Sequence, residues 1–300
     1  MSGKLKNNRL ITVLVAGIFA TMVFTACNDE KKSETAASTE KAVERTTTTS
    51  TEYDMNASDI QKIVKAGVLN VGCKADVPKF GSQNTTTGEF EGMEIDISYN
   101  VAAKLFGVSP EEAKGKGLVN FTAVTAATRG ELLNNGSIDL VAATFTIKPA
   151  RLENWNFSTP YFTDHVGLMV KKSEGFKSAA DLDGAIIGIA DGATTGDAIE
   201  AYLKENNIDV KVTFHSFATY PDISAALSSG NVDVFSVDRS ILAGYNDDTT
   251  EILPDSFGPQ DYGIATRLTD TDFTNLVNAT VVEMLNNGSI DKLLSKYGIE

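Results

Sequence analysis

From about residue 59 onward the chain alternates short β-branched runs with helical ones, and this rhythm restricts it to a sheet covered by helices. Runs at 68–73, 118–124, 139–144, 186–190, 210–214 and 232–237 read as strands. Stretches at 93–106, 129–135, 195–206, 221–229, 272–286 and 289–296 read as helices. A chain of 300 residues holds two such α/β units more comfortably than one. The run Leu-Asn-Asn-Gly-Ser-Ile-Asp stands at 133–139 and again at 285–291, with Ser229-Gly230-Asn231-Val232-Asp233 a looser echo. Its uneven spacing excludes a solenoid. Gly136 and Gly230 read as left-handed stops after helices, and Gly288 as the break between two C-terminal helices.

Ahead of these elements the pattern is different. Lys4, Lys6 and Arg9 precede an apolar run from 10 to 24, and Thr25-Ala26 lead into Cys27. Such an arrangement is a secretory signal. The run is shorter than the roughly 18 to 20 apolar residues of a stable bilayer span, so cleavage is favoured over a permanent transmembrane helix. The segment also resembles a bacterial lipobox, with Phe24 in place of the usual Leu, which implies a lipid thioether on Cys27 as the mature N-terminus. An ordinary signal peptide that happens to contain a cysteine is the alternative. Residues 28–57, rich in Thr, Ser, Glu, Lys and Ala, read as a disordered tether that holds a folded module off a membrane surface. Cys73 lies in an apolar run and reads as a buried small hydrophobe, so no disulfide with Cys27 is expected.

Twenty-six Lys and Arg against 40 Asp and Glu give a net charge of −14, which becomes −17 once Lys4, Lys6 and Arg9 leave with the signal. This acidity argues against a nucleic-acid partner. His165 and His215 are the only histidines, and no nucleophile elbow, phosphate loop or metal-ligand spacing accompanies them. Covalent or metal chemistry is therefore not expected, nor is a cofactor. Three cations stand out at strand ends: Lys74, Arg129 and Arg151. Around the last of them, residues 144–151 leave a strand, turn, and start a helix at Pro149. Hydroxyls from Thr144 and Thr146, free backbone N–H groups and the Arg151 guanidinium converge there as a receptor for a carboxylate. An Arg that caps a neighbouring protein carboxylate is the equal alternative.

From about residue 58 to its end the chain resembles the family 3 extracellular solute-binding proteins, the amino-acid receptors of ABC importers. Glu91-Gly92-Met93-Glu94-Ile95-Asp96 resembles the family's Gly-Phe-Asp-x-Asp, with Met93 and Glu94 as departures. Thr146-Ile147-Lys148-Pro149-Ala150-Arg151, followed by Asn156-Phe157-Ser158-Thr159-Pro160-Tyr161, resembles its longest motif. Gly192-Ala193-Thr194-Thr195 and Ser236-Val237-Asp238 fall where a second lobe supplies contacts. Within the family, the aspartate/glutamate-binding branch is the best match. That match rests on Gly72-Cys73-Lys74-Ala75-Asp76-Val77-Pro78, on residues 128–137, and on Ser236-Val237-Asp238-Arg239-Ser240, with Cys73 replacing the more usual Val.

The resemblance implies an α/β, two-lobed periplasmic-binding-protein-like (type II) fold with two hinge crossings, near 161–165 and 259–263. Lobe 1 is expected over 58–163 and 257–300, and lobe 2 over 164–256. Lobe 1 would hold Lys74, Arg129, Thr144, Thr146 and Arg151, while lobe 2 brings Thr195 and Asp238, so that ligand completes its contacts only on closure. Arg151 with Thr146 and Thr195 would take the α-carboxylate and Asp238 the ammonium. Lys74 and Arg129 are then surplus cations, explained by an anionic side chain, because a buried charge without a partner is costly. Lys74 would be the selectivity switch. The bland alternatives are a solvated Lys74, a structural ion pair for Arg129, and an N-cap role for Asp238 on a helix over 239–245. Tyr220 and Phe80 could wall the pocket, although ordinary packing accounts for both.

The expected partners are an amino acid, most simply aspartate or glutamate, the membrane subunits of an ABC permease, and the membrane itself through Cys27. The expected product is an extracytoplasmic monomer without enzymatic turnover. Three rivals stand beside it. A receptor for glutamine or another polar neutral amino acid would leave Lys74 or Arg129 outside the pocket. An enzyme could use the same fold, since dehydratases that resemble these receptors exist. A sensory or adhesion protein would share the ligand pocket.

Overall fold

The computed structural model describes residue 47 and residues 50–299. The expected signal peptide, Cys27 and most of the tether lie outside the described residues. Chain order begins with helix α1 (Ser58–Ala66), strand β1 (Leu69–Cys73), the short strands β2 (Asp76–Val77), β3 (Gly81–Gln83) and β4 (Phe90–Glu91), then α2 (Met93–Phe106), α3 (Pro110–Gly115), β5 (Val119–Ala123), α4 (Arg129–Asn134), β6 (Leu140–Ala142), α5 (Pro149–Leu152) and β7 (Trp155–Phe157). It continues through β8 (Phe162–Lys171), β9 (Ile186–Ala190), α6 (Thr195–Glu205), β10 (Thr213–Phe217), α7 (Tyr220–Ser229), β11 (Val234–Asp238), α8 (Arg239–Leu242), β12 (Thr250–Ile252) and β13 (Phe257–Tyr262). The chain then adds β14 (Ala265–Arg267), α9 (Thr271–Asn286) and α10 (Ser289–Tyr297).

Two mixed sheets give the molecule its two lobes. One runs β5-β1-β6-β14-β7; the other runs β10-β9-β11-β8-β12, with β13 also pairing β8. In the first, β1 is parallel to both neighbours, Val71 standing opposite Phe121 and Leu140. Four of its five residues are buried, as expected for a central parallel strand covered on both faces. The last return of the chain supplies β14, antiparallel to β6 and β7, so lobe 1 is built from both ends of the folded region. In the second sheet β9, β10 and β11 are parallel, and β8 lies antiparallel to β11 on one side and to β12 and β13 on the other.

The two crossings are a paired ladder rather than loose linkers. Tyr262, Asp261, Gln260 and Pro259 of β13 stand opposite Phe162, Thr163, Asp164 and His165 of β8. A further bridge joins Thr146 to Tyr262 and so attaches the ladder to lobe 1.

Local sequence explains where the site-bearing helices begin. Gly92 has φ +136°, and a Cβ there would lie 2.1 Å from the carbonyl oxygen of Phe80, so only glycine permits the backbone approach that starts α2. Pro149 occupies the first turn of α5, as its fixed φ and missing N–H favour. Gly136 and Gly230 take positive φ after helices, and Gly288 does so between α9 and α10. Cys73 is buried and free.

Three expectations need correction. The strand expected over 210–214 is β10, three residues later; its register is set by Thr213 opposite Ile186, while Val210 and Val212 pack against the lobe 2 core before the strand begins. The helix expected over 239–245 ends at Leu242. The last residues of the expected tether are not free: the Asn278 and Asn275 amides donate to the carbonyls of Ser50 and Glu52 at 2.8 and 2.9 Å, and the Asp54 N–H donates to Asp272. Polar side chains of α9 hold this segment, a mode of docking that a lack of apolar residues does not reveal.

Candidate functional site

Lys74 leaves the end of β1 and is 2% exposed, so it is not a solvated surface lysine. Its Nζ lies 3.0 Å from Asp76 Oδ1 and 4.5 Å from the centroid of the Tyr220 ring. Burial pushes the ammonium pKa down and Asp76 pulls it back. Asp76 also reaches lobe 2: its Oδ2 accepts from the Tyr220 N–H at 3.3 Å, and the Tyr245 hydroxyl donates to its carbonyl oxygen. Lys74 therefore has a protein partner already, which the surplus-cation argument did not anticipate.

Arg129 opens α4 and is 3% exposed. Its Nη1 donates to the carbonyls of Ala143 and Thr144, its Cζ lies 4.0 Å from the Phe145 ring centroid, and its Nε has no hydrogen-bond partner. Arg151 donates to the Thr146 carbonyl at 2.8 Å and across the cleft to the Gly192 carbonyl at 3.0 Å, with its Cζ 4.7 Å from the same ring. Neither guanidinium forms an ion pair with a protein carboxylate among the described residues. The structural ion pair considered for Arg129 and the carboxylate cap considered for Arg151 are thus both absent there.

Between Arg129 and a buried carboxyl group sits Thr144. It adopts φ +43°, a left-handed conformation uncommon for a β-branched residue. Its N–H donates to Glu94 Oε1 at 2.6 Å and its carbonyl accepts from Arg129, so the two side chains grip one residue. Thr144 Oγ1 is buried without a partner. Glu94 is fully buried; Oε1 also accepts the Tyr161 hydroxyl, and Oε2 has no partner. Burial raises the Glu94 pKa, against the opposing pull of Tyr161, Thr144, Arg129 and Lys74. Thr146 requires a correction: its hydroxyl donates to Gln260 Oε1 at 2.8 Å, the same atom that takes the Thr194 hydroxyl at 2.7 Å. The bridge to Tyr262 uses the Ile147 N–H and the Phe145 carbonyl, so the Thr146 N–H points away from it as the remaining donor.

From lobe 2, Thr195 is the first residue of α6 and is 2% exposed, where helix N–H groups lack intrahelical partners. Asp238 ends β11. Its carboxylate makes no cap to α8, which overturns the N-cap alternative, and instead accepts the Tyr262 hydroxyl. Burial first, and then the nearby Asp164, push its pKa up to about 7 against the pull of Tyr262, Arg129 and Arg151. Tyr220 is buried beneath Lys74 at the start of α7. Phe80 is wholly buried against Phe162 and Tyr262 and belongs to the core.

The fold thus gathers Lys74, Arg129, Thr144, Thr146 and Arg151 from lobe 1 against Thr195, Tyr220 and Asp238 from lobe 2. Sequence reasoning missed Glu94, Asp76 and Tyr262 as members of the site. A signal for the first existed: Glu94 shares the buried face of α2 with Ile97, Ser98 and Val101, and an acid on such a face needs a reason. Among the described residues no group of three or more His, Cys, Asp or Glu is placed to hold a metal, and no helix is long and apolar enough to cross a membrane.

The family model for bacterial extracellular solute-binding proteins, family 3, matches residues 69–300. The chain is 34% identical over 218 residues to the glutamine-binding protein of Geobacillus stearothermophilus, covering 72% of this chain and 78% of that one. It is 28% identical over 306 residues to a glutamate-binding protein of Corynebacterium efficiens, covering 99% of this chain and 92% of that one. Among solved structures, an ancestral arginine-binding protein bound to glutamine matches with a TM-score of 0.65 at 30% identity, over 78% of this chain and 99% of that one. An ancestral amino acid-binding protein, a precursor of cyclohexadienyl dehydratase, matches with a TM-score of 0.67 at 28% identity, over 80% of this chain and 99% of that one.

Proposed function

The chain belongs to the bacterial extracellular solute-binding proteins, family 3, and from that membership we propose that it captures an acidic amino acid, aspartate or glutamate, and delivers it to an ABC permease without chemical turnover. One observation carries the choice of ligand: two guanidiniums, the buried Arg129 and the half-buried Arg151, have no ion-pair partner among the described residues. A charge withdrawn from water without a counterion is costly, so both suit an anion, and the buried Arg129 calls for one most strongly. Asp238 suffices for one ammonium. Arg151, the Thr146 N–H and the start of α6 suit the α-carboxylate, and Arg129 is left for a second carboxylate on the side chain. The buried cation without an ion-pair partner is then Arg129 rather than Lys74, which pairs with Asp76.

That same Lys74–Asp76 pair favours a second reading, a receptor for glutamine, which is also what the Geobacillus relative is named for. Thermal shift on the mature protein against the twenty amino acids decides between them. A ligand at a hundred times its Kd stabilises the folded state by about 2.7 kcal/mol. A rise with aspartate and glutamate that Arg129→Met abolishes supports the acidic reading. A rise with glutamine alone, retained in Arg129→Met, supports the second. We further assign the N-terminal anchor to a lipid on Cys27, on the strength of the small residues that precede it.

A further inference from the structure

We propose that Glu94 is a specificity-setting residue that is ionised in the empty site and takes up one proton when an acidic amino acid is seated on Arg129. The inference deepens the acidic-ligand reading and rests on it.

The geometry of Glu94 is lopsided. Both donors that reach it, the Thr144 N–H and the Tyr161 hydroxyl, converge on Oε1, while Oε2 is buried with no partner. Two donors on one oxygen favour the ionised carboxylate. The neutral form would place its proton on Oε2, where the protein offers no acceptor. An acidic ligand brings one. The neighbouring Thr144 Oγ1 and Arg129 Nε are likewise buried and unpartnered, so three orphaned polar atoms surround Thr144, whose left-handed backbone Glu94 and Arg129 hold from its two ends. Buried polar groups of this kind in a folded protein ask for a ligand or water.

Charge counting gives the same answer. The groups that face Glu94 are Cys73 and Lys74 at the end of β1, Arg129 of α4, Thr144 after β6 and Tyr161 before β8. Across the site Lys74, Arg129 and Arg151 stand against Asp76, Asp238 and Glu94, which is neutral when Asp238 and Glu94 are both ionised, as they are once Asp238 holds the ammonium. An amino acid with a neutral side chain leaves that balance intact. One with an acidic side chain adds a negative charge in a buried place, and two carboxylates sharing such a site retain a proton between them. Burial already presses the Glu94 carboxyl toward its protonated form. The proton comes from solvent, and no covalent bond other than O–H is made.

Isothermal calorimetry of glutamate binding in buffers of different ionisation enthalpy counts the protons exchanged. Asp238 must lose any proton it carries to hold the ammonium, and it does so equally in wild type and in a Glu94→Gln variant, so the difference between the two isolates Glu94. We expect wild type to take up about one proton more than Glu94→Gln at some pH between 5 and 8, with the variant binding glutamate at least as tightly. Equal proton counts across that range, with heat of binding in both, overturn the role of Glu94 and leave the acidic reading standing. An absence of binding by aspartate and glutamate to wild type overturns both. Should Glu94→Gln not fold, Tyr161→Phe removes one donor that favours the ionised form, and the window of proton uptake must move to higher pH; an unmoved window overturns the proposal.

Discussion

Arg151 donates a hydrogen bond to the carbonyl oxygen of Gly192 at 3.0 Å, so the cation assigned to the α-carboxylate also ties lobe 1 to the turn that leads into α6. Gly192 has φ +72°, and a Cβ there would lie 2.9 Å from Ala127 Cα and 3.0 Å from the Ala126 carbonyl oxygen, both on the opposite lobe. Glycine is required twice over, by its own backbone and by its neighbour's. Gly192→Ala is therefore expected to hold the lobes apart, lowering ligand affinity more than tenfold, while unliganded stability changes by only about 1 kcal/mol. Calorimetry against thermal unfolding checks this, and an unchanged Kd would show that the two turns do not meet in the bound state.

Asp238 should cost stability in the absence of ligand. Its carboxyl titrates at about 7 in the folded protein against an ordinary 3.8, so between those values the folded state holds more protons than the unfolded one. Stability then falls as pH rises from about 4 to 7 and stays low above. Asp238→Asn keeps an acceptor for Tyr262 without the charge, and is expected to raise unliganded stability at pH 8 by about 2–4 kcal/mol while abolishing amino-acid binding. Urea unfolding at pH 5 and pH 8 measures it: the gain must be larger at pH 8, and a gain independent of pH would assign the effect to packing.

Cys27→Ala is expected to lose incorporation of labelled palmitate in the expressing cell and to release the protein from the membrane fraction. Equal label in wild type and variant would remove the lipid anchor from the account.

The alternation of elements was legible because each strand and helix carries its own period, and α2 and β9 were placed to the residue from it. Pro149 and the glycines after helices were legible for the same local reason. What sequence could not reveal is pairing across lobes. Lys74 looked like a free cation because Asp76, two residues on, gives no sign of turning back toward it, and its second partner, Tyr220, lies 146 positions further along the chain than Lys74. Thr146 looked like a hydroxyl for the ligand because Gln260, which engages it, arrives on the second crossing. Glu94 looked like a drifted motif position, and its place on the apolar face of α2 was the one sign in the sequence that its carboxyl is buried.

Lys74 and Asp76 form an ion pair with the lysine almost wholly buried, and breaking such a pair leaves a charge in a low-dielectric place. Asp76→Ala is expected to destabilise the protein by about 3 kcal/mol. Lys74→Met in the same background should recover part of that loss, because it removes the stranded charge and keeps the stem's volume. The coupling in a double-mutant cycle, read by urea unfolding, is expected to exceed about 1 kcal/mol, and additive effects would mean that the pair is dispensable. Binding gives an independent readout. Asp76 Oδ2 also accepts the Tyr220 N–H from lobe 2, a contact that alanine removes, whereas the Tyr245 hydroxyl bonds the backbone carbonyl of residue 76, which alanine keeps. Asp76→Ala should therefore weaken ligand binding through loss of closure even where Lys74→Met restores stability, and the two deficits separate because stability responds to the stranded charge while affinity responds to the lost contact between lobes.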